Sequence, residues 1–176
     1  EKIQKFSLQS GLRWHMIGHL QSRKAKLVVE NFHYLHSLDS LSLAHKLDQI
    51  LERHGKVLPV LLEFNVGGEE SKYGWNAQDE KKWDLLLPDI EEITLLPHLK
   101  IQGLMTMPPY DTDLEKTRPF FTKLANLRDF LWLRFPEHDW FELSMGTSVD
   151  FEAAVQEGAT YVRIGQAILG ERPKTR

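Results

Sequence analysis

Short apolar runs alternate along this chain with longer segments whose apolar residues recur at helical spacing. That alternation is typical of repeated strand–helix units, whose strands form a parallel sheet. The Val60–Leu62 run is apolar without intervening polar residues, which is typical of a strand covered on both faces. The sequence predicts six strands, at Trp14–Leu20, His33–Ser37, Val57–Asn65, Leu99–Thr106, Trp140–Met145 and Thr160–Gly165.

Helices are predicted between these strands. The strongest pattern covers Ser40–His54, where one face is apolar and Gly55 is placed to end the helix. A second helix is predicted over Asn76–Leu87, with Pro88 as its stop. Further helices are predicted at Thr117–Phe135 and Phe151–Gln156.

Composition excludes several classes of protein. A length of 176 residues without an internal linker predicts one domain over residues 1–176. The 22 Lys and Arg residues against 25 Asp and Glu residues lack the basic excess that nucleic-acid binding requires. The sequence has no Cys, which excludes thiolate metal sites and fits a reducing compartment, so we expect a cytoplasmic protein. No apolar run approaches the roughly 18 residues that span a bilayer, so no membrane association is expected.

The ends of the last two predicted strands carry the most informative polar residues. In parallel sheets, ligands bind where the strands end, because the loops converge there. Ser144–Ser148 supplies hydroxyls and a glycine just before a short helix, and Arg163 and Gly165 follow at the next strand end. Such a helix start suits a phosphate group. The alternative is that Ser148 or Asp150 only caps its helix and the glycines form turns, and the residues by themselves leave both open.

Other polar groups point less clearly to chemistry. His15 and His19 have i,i+4 spacing but lack the Glu of a zinc protease helix, so no metal is expected. His36 is expected to be a half-buried strand residue. The basic cluster Arg23–Lys26 is interpreted as a solvated face, with an anion or partner contact as the alternative. The loop that carries Lys72 lacks the spacing of a phosphate-binding loop.

Several motifs together resemble one known family. In order and spacing, the chain is similar to the pyridoxal phosphate homeostasis proteins from about Trp14 to Arg172. The motifs that carry the resemblance are Trp14–Gln21 with Lys24 and Lys26, His36–Asp39, Glu69–Gly74, Gly103–Thr106, Leu143–Phe151 and Val162–Gly165.

The resemblance implies a (β/α)8 barrel of the TIM type, similar to the amino-terminal domain of alanine racemase. It further implies a protein without established catalytic activity that binds pyridoxal 5'-phosphate (PLP) and takes part in PLP homeostasis and amino- and keto-acid balance. The alternative is a PLP-dependent racemase-like enzyme, which needs a second domain with a catalytic Tyr. The binding residues carried over by position are Ser144, Gly146, Thr147, Ser148, Ile164 and Gly165 for the phosphate, Arg163 beside the ring nitrogen or phosphate, and His15, Asn65 and Met105 around the ring.

The resemblance also bears on the amino end of the chain. In the family, the Lys that forms a Schiff base with PLP lies on the first barrel strand, and this strand and the second precede the first motif found here. Glu1 is not a Met, and the first six residues have the pattern of the middle of an amphipathic helix. We therefore expect the six predicted strands to be the last six of eight, with the Schiff-base Lys upstream of Glu1.

Overall fold

The structure, a computed structural model, describes residues 11–170 and shows a parallel sheet whose main strand order follows the chain. The amphipathic pattern predicted for residues 1–6 lies outside the described residues. The order is β1-β2-β3-β5-β6-β7, with β4 paired to the end of β3, and every pair is parallel. All six predicted strands are confirmed, and the two-residue β4 is additional. The strands are β1 His15–Met16, β2 Tyr34–Leu38, β3 Leu58–Asn65, β4 Trp75–Asn76, β5 Leu99–Met105, β6 Glu142–Thr147 and β7 Tyr161–Arg163.

Helices connect the strands and cover one face of the sheet. Two short 3-10 helices, Ser22–Lys24 and Glu80–Leu86, precede α1 and α3 respectively. The α-helices are α1 Ala25–Asn31, α2 Leu41–His54, α3 Leu87–Thr94, α4 Leu114–Arg134, α5 Phe151–Gln156 and α6 Gln166–Leu169. None of the helices in residues 11–170 is both long enough and apolar enough to cross a membrane.

The predicted helix over Asn76–Leu87 is confirmed only in part, as the 3-10 helix Glu80–Leu86, and its predicted stop is wrong. Pro88 lies in the first turn of α3 instead of ending a helix, because the missing proline N–H costs nothing where helical N–H groups have no partner. The α4 helix begins three residues before the predicted start. Asp113 caps it by accepting a hydrogen bond from the Glu115 backbone N–H.

The sheet separates two groups of buried side chains. The larger group packs between the sheet and its helices and includes Leu47, Leu62 and Trp140, each 0% exposed. A smaller group occupies the opposite face, which we call the inner face. It consists of Tyr34, Leu61 and Met105, with Tyr161 packed against them.

The inner face is strongly curved. In a flat sheet, the edge strands β1 and β7 would lie about 24 Å apart, at about 4.8 Å per neighbouring pair. Yet the rings of His15 on β1 and Tyr161 on β7 have centroids only 5.7 Å apart. The sheet must therefore curl until its two edges approach each other. The fold is a partial (β/α) barrel with helices outside and the inner face enclosed.

Candidate functional site

A cavity of about 440 Å³ opens where β6 and β7 end. Because these strands are neighbours, the loops that follow them lie side by side. Thr147, Ser148, Arg163 and Gly165 all line this cavity. Ser148 joins the two loops, since its Oγ accepts a hydrogen bond of 3.1 Å from the Gly165 backbone N–H. The structure thus brings together three of the residues predicted to hold a phosphate, and it places beside them Arg163, predicted to lie near the ring nitrogen or the phosphate.

The loop after β6 is held by Asp150. Its Oδ1 accepts hydrogen bonds from the Thr147 backbone N–H and from Thr147 Oγ1, at 2.6 and 2.9 Å. Asp150 therefore fixes this loop, and its side chain makes no capping bond to α5. At Gly146, an added Cβ would lie 2.6 Å from the Ala154 Cβ, so a glycine is needed for α5 to pack this closely on β6.

Arg163 provides a fixed positive charge at the cavity. Nη1 donates to Ser144 Oγ at 3.0 Å and Nη2 donates to the Thr106 carbonyl at 2.9 Å. The buried Nε has no hydrogen-bond partner within residues 11–170. Burial lowers the pKa of Arg163 to about 10, which still leaves the guanidinium protonated at neutral pH. A half-buried cation that lines the cavity suits an anionic or lone-pair acceptor there.

A chain of hydrogen bonds continues from Arg163 across the inner face. Ser144 Oγ lies 2.9 Å from His36 Nδ1, and His36 Nε2 lies 2.8 Å from His15 Nδ1. Burial and the nearby His15 lower the pKa of His36 to about 3, so His36 is neutral. Because Arg163 can only donate, Ser144 can give its hydroxyl hydrogen to His36, which in turn donates from Nε2 to His15. Ser144, predicted to hold the phosphate, is fully buried and contacts Arg163 from below the cavity.

Glu63 is a second buried ionisable group on the inner face. It is register partner to Met105, which is register partner to Ser144, so the three form one row across β3, β5 and β6. Glu63 is 6% exposed, and its Oε2 has no hydrogen-bond partner in the described part of the chain. Burial and the negative charge of Asp39 raise the pKa of Glu63 to about 7.

The remaining predicted site residues are spread along the inner face and its rim. Asn65, at the end of β3, holds the following loop by donating to the Glu69 carbonyl and accepting from the Gly68 N–H. Met105 lies deeper, fully buried in the inner-face cluster. Ile164 is half-buried between Arg163 and Gly165. No three His, Asp or Glu side chains among the described residues are grouped so that they could hold a metal ion.

Sequence reasoning missed several residues of the site. His36 is 2% exposed rather than half-buried, and both of its ring nitrogens are hydrogen-bonded. Glu63 and Tyr161 belong to none of the motifs named above, and Thr106 is predicted only as the end of a strand and of a motif. Tyr34 and His36 alternate along β2, as side chains on one face of a strand do. This spacing was the available signal for a polar row on the inner face.

Comparison with known proteins identifies the domain family to which this fold belongs. The family model of the alanine racemase amino-terminal domain matches residues 6–173. The curved parallel sheet with helices on its outside agrees with the (β/α) barrel of this domain family.

Close relatives narrow the class. The pyridoxal phosphate homeostasis protein of Aquifex aeolicus is 44% identical over 92% of this chain and 68% of its own length. The human protein of the same name is 38% identical over 94% of this chain and 61% of its own length. The structure of PipY from Synechococcus elongatus PCC7942 with PLP bound superimposes with a TM-score of 0.84 and 32% identity, covering 96% of this chain and 76% of PipY. The chain belongs to the pyridoxal phosphate homeostasis protein family, which confirms the resemblance seen in the motifs.

Proposed function

We propose that this chain binds PLP without catalysing a reaction on it, and that it serves intracellular PLP homeostasis and amino- and keto-acid balance. The names of the relatives support the role in homeostasis, and the PLP bound to PipY supports the cofactor. The observation that carries the proposal is Arg163. Its half-buried, protonated guanidinium lines the cavity, and its Nε has no hydrogen-bond partner within residues 11–170.

The residues at the cavity fit a phosphorylated ring compound. Ser148 offers a hydroxyl hydrogen, Thr147 lines the same cavity with its own hydroxyl donated to Asp150, and Gly165 offers close approach to the backbone. We assign the phosphate to these three together with Ser144, Gly146 and Ile164, and the ring to His15, Asn65 and Met105. When bound, PLP supplies an aldehyde that condenses reversibly with amines.

Arg163 also favours carriage of PLP over catalysis. A permanent cation beside a pyridine nitrogen disfavours protonation of that nitrogen, because two positive charges would then adjoin. An unprotonated ring withdraws electrons less strongly. Ser144 and the Thr106 carbonyl hold the guanidinium in place, so it cannot easily turn away.

The proposal also covers the number of strands in the complete barrel and the cellular compartment of the protein. We place the chain in a single PLP-binding domain, an eight-stranded (β/α) barrel to which the described sheet contributes six consecutive strands. The approach of His15 to Tyr161 across the inner face supports this closure. The sequence without Cys supports action in the reducing cytoplasm.

Equilibrium dialysis against PLP tests the proposal with Arg163→Met. Loss of a charge-assisted hydrogen bond costs about 1.5–3 kcal/mol, so we expect PLP affinity to fall by about tenfold or more. Arg134→Met is the matched control, because Arg134 ends α4 on the outside of the barrel, where it pairs with Asp84. Equal affinity of both variants and the unchanged protein would remove Arg163 from the site. Racemisation of L-alanine by the PLP-loaded protein would contradict the non-catalytic role.

A further inference from the structure

A second cavity lies on the outside of the partial barrel, between α2 and the start of α1 with the 3-10 helix that precedes it. Its volume is about 430 Å³. We call it the basic groove. Its lining includes Arg23, Lys26, Lys46, Ile50, Arg53 and His54. It is remote in the fold from the cavity beside Arg163, because it lies against the helices that follow β1 and β2.

The basic groove concentrates positive charge in a chain that is acidic overall. Four of its lining residues are Lys or Arg, whereas the whole chain has a formal net charge of -3. One carboxylate offsets part of this charge, since Glu30 lies 3.6 Å from Lys26 Nζ and 3.9 Å from His54 Nε2. Lys46 and Arg53 make no ion pair within residues 11–170. The groove therefore holds more cations than its own carboxylate can neutralise.

The spacing of these cations indicates the shape of an occupant. Lys46 and Arg53 are seven residues apart on α2, which is about 10 Å along a helix axis at 1.5 Å per residue. Ile50 lies between them on the same side of the helix, and Arg23 and Lys26 face them from the other wall. An occupant would thus meet cations on both walls and an apolar side chain at its middle.

We propose that the basic groove binds a small organic polyphosphate of the size of a nucleoside triphosphate. Several phosphates carry enough negative charge in a small volume to match four cations, and Arg binds phosphate oxygens in pairs. Ile50 is placed to contact the organic part. A cavity of about 430 Å³ suits a small molecule, within the range of about 300–1,000 Å³ for such sites. This explains the Arg23–Lys26 cluster, for which an anion contact was one of two interpretations.

The test is calorimetric titration of adenosine 5'-triphosphate and inorganic tripolyphosphate into the PLP-saturated chain, so that the Arg163 cavity is occupied. The test variant is Lys46→Ala with Arg53→Ala. Both residues are exposed on a helix, where Ala is well tolerated. The matched control is Lys81→Ala with Lys100→Ala, which removes the same charge from exposed positions outside the groove.

We expect saturable binding of both probes, weakened at least tenfold in the Lys46/Arg53 variant and nearly unchanged in the control, with circular dichroism confirming that both variants are folded. Tighter binding of the nucleotide than of tripolyphosphate would support the contact with Ile50. Equal loss of affinity in both variants, no saturable binding, or binding of a hexaglutamate peptide in preference to the triphosphates would overturn the proposal. Retention of PLP is measured separately, so failure here leaves the proposed PLP function untouched.

Discussion

Two buried groups on the inner face should give this protein opposite responses to acid. The pKa of His36 falls from 6.5 to about 3 in the folded protein, so between these pH values only the unfolded chain binds a proton there. The pKa of Glu63 rises from 4.5 to about 7, so between these values only the folded protein binds a proton there. Acidification therefore destabilises the fold through His36 and stabilises it through Glu63.

The two effects nearly cancel between pH 6.5 and 4.5. Stability rises with pH wherever the unfolded state holds more protons, at up to about 1.4 kcal/mol per pH unit for one group. Integrated over this range with the two shifts, acidification costs about 2 kcal/mol at His36 and gains about 2 kcal/mol at Glu63. Burial also lowers the pKa of His15, which adds a loss in the same direction as His36. The unchanged protein should show a shallow pH profile.

Substituting either group should reveal the pH dependence of stability that the other group contributes. Glu63→Gln should lose about 2 kcal/mol of unfolding free energy between pH 6.5 and 4.5, and His36→Asn should gain a similar amount. Urea unfolding at pH 4.5, 5.5 and 6.5, followed by the fluorescence of the five tryptophans, measures both. The comparison is between the slopes of unfolding free energy against pH. A change in packing that shifts the unfolding free energy equally at every pH therefore does not affect the result. If both variants keep the profile of the unchanged protein, the reasoning is refuted.

Three further substitutions, one of them paired with a control substitution, test the packing by urea unfolding. Gly103→Ala should cost about 3 kcal/mol or more, because the new Cβ would lie 1.8 Å from the Glu142 carbonyl oxygen across the β5–β6 pair; an unchanged midpoint would contradict this close approach. Leu47→Ala should cost about 2–5 kcal/mol since Leu47 is 0% exposed, whereas Leu133→Ala, at 82% exposed, should change little. Thr106→Val should cost about 1–3 kcal/mol, because the hydroxyl donates to the buried Phe64 carbonyl at 2.7 Å; a neutral or stabilising effect would contradict that role.

The strands could be predicted because local signals and tertiary structure agree there. A strand buried on both faces is apolar along its length, as Val60–Leu62 is, whatever its neighbours. The prediction Trp14–Leu20 was too long, since β1 pairs only at His15 and Met16 and has one partner strand in the described part of the chain. Pro88 misled the helix prediction because a proline can either end one helix or begin the next.

The part of the candidate site that depends only on strand order could be predicted from the sequence. Ser148 and Gly165 follow neighbouring strands, so their loops must lie together. The contact between His36 and Ser144 joins residues 108 positions apart. It depends on register and curvature, which short motifs do not encode. The role of Asp150 was uncertain for a similar reason, since capping and loop bracing use the same residue type.

Strand order that matches chain order has a consequence for how the protein is made. As synthesis proceeds from the amino end, each new strand of the β1-β2-β3-β5-β6-β7 series emerges after the neighbour on which it must pair. Each strand–helix unit can then dock on a surface that already exists, without waiting for a distant segment. Because β7 is synthesised after the other described strands, the contacts between β1 and β7 and the hydrogen bonds of Arg163 cannot form until β7 has emerged.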